Sequence, residues 1–197
     1  MGISWFWFLG AAYITQLPVF SRDYLSGTAN LYVLLLTLFS VGIAAGSMLC
    51  EKLSGHKIEL GLVPLGSLGL SLFGIDFYFA YGAYNATHEA IGISTFLLQQ
   101  GSWRILLDIS GLGVFGGLYI VPLFAIVQQR SDEKIRSQII AGNNIFNALF
   151  MVASALAGIG LIGIAGLSVP EFFLVLAIMN IFVAGFIYQQ VPEFTMR

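Results

Sequence analysis

Six continuous apolar runs, each close to the length of a bilayer crossing, constrain this chain more than any other feature. A helix needs about 20 apolar residues to cross the hydrocarbon. The runs occupy about 2–20, 31–49, 60–81, 105–127, 139–166 and 172–191. Barrel strands would alternate in polarity, and an open sheet cannot satisfy its edges in lipid, so unbroken runs are helices. The predicted fold is an all-α membrane protein, a single six-helix transmembrane domain over 1–197 with no soluble domain. Only 9% of the 197 residues are charged, against about 25% in soluble domains. The first run lacks a basic leader and exceeds a signal-peptide core, so it reads as a retained helix. The link over 85–103 has mixed polarity and room for a short interfacial helix.

The remaining composition mainly excludes functions. A net charge of -2 gives no hint of a nucleic-acid partner. Cys50 is alone, so it forms no internal disulfide and reads as a small apolar filler. There is no nucleophile-elbow motif, no phosphate-binding loop and no metal-spaced His/Cys set. His56 and His88 fall in links on opposite sides of the membrane. No catalytic residue, metal or cofactor is expected, and the chain does not read as an enzyme. Lysine and arginine in short loops set orientation. Lys52, Lys57, Arg130, Lys134, Arg136 and Arg197 fall on the side of both termini, and Arg22 and Arg104 on the other. Both termini are therefore expected in the cytoplasm.

Polar groups inside the spans are the candidate functional residues, because lipid penalises them. Asp76 lies ~24 Å along the third span, toward its outer end. It reads equally as a gate or pathway residue and as an outer-rim anchor. Asp108 follows Arg104 by one helical turn, so the two are expected to pair along one face at the outer rim. Asn143 and Asn147 share a face that Ser154 continues, and such a stripe must meet other helices or a polar cavity. Asn180 lies near the middle of the sixth span. Asn143, Asn147, Asn180 and Asp76 are the candidate cavity residues, and interhelical amide bonding without a ligand is the competing reading. No membrane-centred carboxylate suited to proton coupling stands out. Gly42 with Gly46, and Gly113 with Gly117, form small-xxx-small pairs. They read as helix packing, or as an interface that slides during transport.

Two segments carry a family resemblance. Gly46-Ser47-Met48-Leu49-Cys50-Glu51-Lys52-Leu53-Ser54-Gly55-His56-Lys57 resembles the loop signature of the major facilitator superfamily. That signature places a glycine, an acid, a base, a glycine and further bases between paired helices. Carried over, it makes Gly46 and Gly55 the glycines, Glu51 the acid and Lys52 and Lys57 the bases of a cytoplasmic gate. His56 stands where a base is usual, and the spacing is slightly shifted. Gly116-Gly117-Leu118-Tyr119-Ile120-Val121-Pro122-Leu123-Phe124, with Ala141-Gly142-Asn143-Asn144, is similar to the lysophospholipid transporter branch. Ile3-Ser4-Trp5-Phe6-Trp7-Phe8-Leu9-Gly10-Ala11 resembles the opening of that branch's seventh helix. The resemblance implies half of a major facilitator fold, its C-terminal six helices. It implies lysophospholipid flipping by alternating access across a bacterial inner membrane. The implied partners are membrane lipid, an N-terminal transporter half or a second copy, and a fused or associated acyltransferase. Transport of another small molecule, or a non-transporting membrane module of such an acyltransferase, are the alternatives.

Overall fold

The structure is a computed structural model that describes residues 1–55, 59, 61–86 and 89–190. His56, Lys57, His88 and Arg197 lie outside the described residues. The helices are α1 (Gly2–Val19), α2 (Ala29–Ser54), α3 (Leu62–Gly82), α4 (Ile93–Leu98), α5 (Ser102–Arg130), α6 (Arg136–Gly158) and α7 (Val169–Gln190). Six of them, all but α4, are long and apolar enough to cross a membrane. The short α4 fills the place expected for an interfacial helix.

Helices α2 and α5 run past their apolar limits at both ends, and α6 and α7 start before theirs. Glu51 and Lys52 lie within the last turn of α2, and Arg136 opens α6. Polarity marks where hydrocarbon ends, whereas a helix continues until its backbone bonds are capped. Gly55 ends α2 in the left-handed conformation at φ 55°. A side chain there would strain the backbone, which is why glycine terminates helices so well. Ser168 and Glu171 start α7 as a capping box. The Ser168 backbone N–H donates to Glu171 Oε2 at 2.7 Å, and the Glu171 N–H donates to Ser168 Oγ at 3.4 Å.

Two spans finish in wider, π-helical turns at the same end of the bundle. Phe20–Tyr24 extends α1, and Ile159–Ile164 extends α6. Pro18 cannot donate a helical bond and crowds the preceding turn, which loosens the end of α1. In α6 the cause is Gly160 and Gly163, whose backbones adapt cheaply. Leu167 N–H reaches back to the Leu161 carbonyl at 3.0 Å, and Gly166 at φ 75° closes the turn.

The packing places α5 at the centre, between α2 and α3. Helix α7 lies on α3, and α6 lies on α1. More than half of the apolar stretch of α5 is buried, whereas most of that of α6 is exposed. Helix α6 is therefore held mainly along one stripe. The links at the α4 end form a packed cover. Thr28 N–H donates to the Ile91 carbonyl at 2.9 Å, and Ile91 N–H donates to Ser26 at 2.7 Å. Tyr84 and Phe96 are buried beneath this clasp, and burial pushes the Tyr84 phenol up to about 12.

Candidate functional site

Helix α6 packs on α1 and buries Asn147, Ser154 and Gly158; the first two belong to the stripe expected from the sequence, whose third member, Asn143, is half-buried. The Asn147 amide, in the orientation that satisfies all its atoms, donates to Ser4 Oγ at 2.9 Å and to the Asn143 carbonyl at 3.1 Å. Its oxygen accepts from Trp7 Nε1 at 3.3 Å and from Asn143 Nδ2 at 3.1 Å. Asn143 and Asn147 thus form one polar cluster with Ser4 and Trp7. Asn144, the neighbouring amide, is exposed and stands outside it.

Beside that cluster opens an apolar cavity of about 400 Å³ among α1, α2, α5 and α6. Trp7, Ile14, Phe39, Ile43, Phe124 and Met151 line it, and the hydroxyl of Thr15, also in the lining, donates back to the Ala11 carbonyl, which leaves the wall surface apolar. The volume lies within the range of small-ligand pockets, ~300–1,000 Å³. From Trp7 to Ile14 the groove runs ~10 Å along α1. Trp7 belongs to both regions, its ring in the groove wall and its N–H at the amide cluster. Gly10 and Ala11 leave room for the groove, and a Cβ at Gly10 would meet nothing within 4 Å.

Asn180 occupies a different place. It is 1% exposed and joins α1, α3 and α7. Its oxygen accepts from Trp5 Nε1 at 2.9 Å, and its nitrogen donates to the Ser67 carbonyl at 2.9 Å and to Ser71 Oγ at 2.8 Å. Both amide donors are occupied by protein, so this group acts as an interhelical clamp. Interhelical hydrogen bonds in membranes average ~0.6 kcal/mol and reach ~1–2 kcal/mol. Replacing Asn180 with Ala also strands the Trp5 N–H in an apolar core, at about 1–3 kcal/mol. We expect Asn180→Ala to lower resistance to unfolding in detergent by about 2 kcal/mol, while Asn180→Gln recovers part of the loss.

The charged residues also regroup. Arg104 does not pair along its own helix with Asp108. It forks onto Asp76 of α3, donating from Nε at 2.9 Å and from Nη2 to the second oxygen. The antiparallel crossing of α3 and α5 brings these side chains level, which spacing within one helix could not reveal. Asp108 is 2% exposed, and its Oδ2 meets no donor. The four cavity candidates therefore fall in three places. Asn143 and Asn147 adjoin the groove, Asn180 clamps the core, and Asp76 sits in the charged group at the α4 end.

The glycine pairs face each other across α2 and α5. A Cβ at Gly42 would lie 2.6 Å from the Ser110 carbonyl, and one at Gly46 would overlap the Val114 carbonyl. Gly113 meets the Phe39 carbonyl, and Gly117 meets the Ile43 carbonyl. Backbone touches backbone from both sides, which favours the packing reading of these residues. Of the residues expected at a gate, Glu51 and Lys52 are exposed at the end of α2, close to Gly55. Among the described residues no group of three or more His, Cys, Asp or Glu could hold a metal.

No family model, curated protein or solved structure matches this chain. The resemblance to major facilitator transporters rests on residues 46–57, of which 46–54 belong to α2, and on segments of α1, α5 and α6.

Sequence reasoning passed over Ser4, Trp5, Trp7, Ser67 and Ser71. A signal was present, because an indole N–H in an apolar span needs an acceptor. Two tryptophans at Trp5 and Trp7 called for two acceptors, and Asn180 and Asn147 supply them.

Proposed function

We propose that this chain is the C-terminal six-helix half of a major facilitator transporter that flips a lysophospholipid by alternating access. The observation that carries the reading is the junction at Trp7 of a wholly apolar groove with a cluster of amides and a hydroxyl. An amphiphile needs both environments side by side. An acyl chain gains by leaving water for the groove, at about 0.8 kcal/mol per methylene. A polar headgroup needs donors and acceptors at one end, and it would exchange with the bonds that Asn143, Asn147, Ser4 and Trp7 make to one another. The thinly covered α6 would let a lipid enter sideways from the bilayer. The opposing wall would come from an N-terminal transporter half or a second copy. A fused or associated acyltransferase would then consume the lysolipid. Both termini would face the cytoplasm of a bacterial inner membrane, with Glu51, Lys52 and Lys57 at the cytoplasmic gate.

Proteoliposomes carrying the chain together with its opposing half test this. Fluorescent lysophosphatidylethanolamine should cross the bilayer at a protein-dependent rate, and a single-chain sugar detergent should compete poorly. Protein-dependent movement of a sugar or drug without lysolipid movement would favour another substrate. No movement of any solute would favour a membrane module of an attached enzyme.

A further inference from the structure

The charged group at the α4 end lies apart from the groove, and none of its side chains lines it. Asp76 is six residues before Gly82, where α3 ends, and Asp108 is six residues after Ser102, where α5 begins. Both therefore sit ~9 Å inside their helix ends. Arg104 occupies both oxygens of Asp76. Asp108 is turned toward the same carboxylate and is nearly sealed from solvent, with Oδ2 lacking any donor. Two ionised carboxylates in contact have nothing to donate to each other, and one arginine balances only one of them. A buried, unpaired charge of this kind is too costly to leave standing.

We propose that Asp76 and Asp108 form a site for one bound proton, held as an O–H on Asp108 that donates to the Asp76 carboxylate beside Arg104. With the proton bound the three side chains are neutral in sum. Without it their sum is one negative charge, and the two carboxylates repel across the α3–α5 contact. The proton exchanges with water through the half-exposed Asp76 edge, whose side chain is 43% accessible. A metal cation fits poorly, because hard cations require many oxygen ligands. Here Asp76 is already bound by arginine, and a cation would face the Arg104 charge.

Of the neighbouring elements, α7 carries one charged side chain, Glu171, whose carboxylate accepts from the Ser168 N–H and Oγ. The α4-end half of α2, residues 29–39, and all of α4 lack Asp, Glu, Lys, Arg and His. On α3 the nearby phenols are Tyr78, edge-on to Phe79, and Tyr81, packed on Phe20 and Tyr24 of α1. The site does not depend on the lipid reading, since its test follows a carboxyl group and not a transported solute.

The test is infrared spectroscopy of the chain in lipid nanodiscs at about pH 6, where exposed carboxylates are ionised. One protonated-carboxyl C=O band should remain. Asp108→Asn should abolish it. Asp76→Asn should abolish it too, because Arg104 then turns to an ionised Asp108. Glu171→Gln should leave it in place. Absence of the band in the parent chain would overturn the proposal. So would a band that survives Asp76→Asn, which would mean that burial of Asp108 alone holds the proton. Loss of the band when sodium replaces choline would identify a metal-cation site instead.

Discussion

Replacing Gly46 with alanine should disrupt the bundle, although it adds only one methyl group. The new Cβ would coincide with the Val114 carbonyl of α5. Neither partner can rotate away, because both are helix backbone. Overpacking a core against movable side chains costs about 1–3 kcal/mol. Here the helices must separate along a seam that Gly42, Gly113 and Gly117 also hold close, so roughly 3 kcal/mol or more is expected. The measurement is the unfolding midpoint in detergent, read by near-ultraviolet circular dichroism. Gly142→Ala is the matched control. Its Cβ would meet nothing within 4 Å, so the change should be neutral or stabilising by up to about 1 kcal/mol. Equal behaviour of the two variants would contradict the close α2–α5 seam.

Gly10→Leu should do the reverse, leaving the fold intact and removing the groove. Gly10 lines the cavity and has open space where a side chain would project. A leucine there replaces a void with protein and competes for the volume an acyl chain would fill. Lysophospholipid affinity should fall roughly tenfold or more, equivalent to about 1.4 kcal/mol, while the unfolding midpoint stays within about 0.5 kcal/mol of the parent. Gly10 and Gly46 are both glycines in apolar spans, yet one makes a seam and the other a space. The spacing to Gly42 marks Gly46 as a packing glycine in the sequence, but the open space at Gly10 depends on what stands opposite.

The same distinction explains what could be read in advance. Six unbroken apolar runs fix six spanning helices, since lipid leaves the backbone no other economical arrangement. The Asn143, Asn147 and Ser154 stripe was legible because a polar face cannot point at lipid. Helix ends were not, because Glu51, Lys52 and Arg136 extend helices beyond the hydrocarbon. The partner of Arg104 was not legible either. Asp108 is one turn away on the same helix, but Asp76 on α3 offers both carboxylate oxygens to the fork. Asn180 could have been paired with Trp5 only by asking where each indole N–H goes. Its two amide donors serve Ser67 and Ser71, so the sequence position at mid-span marked a clamp.

The central claim is that the groove beside Trp7 holds the acyl chain of an amphiphile. The most direct measurement is photolabelling with a lysophosphatidylethanolamine that carries a diazirine in its chain, followed by peptide mapping. Labels are expected at Trp7, Ile14, Phe39, Phe124 and Met151, displaced by unlabelled lysolipid and lost in Gly10→Leu. Labels spread over exposed side chains such as Leu72 and Phe182, with no displacement, would contradict it.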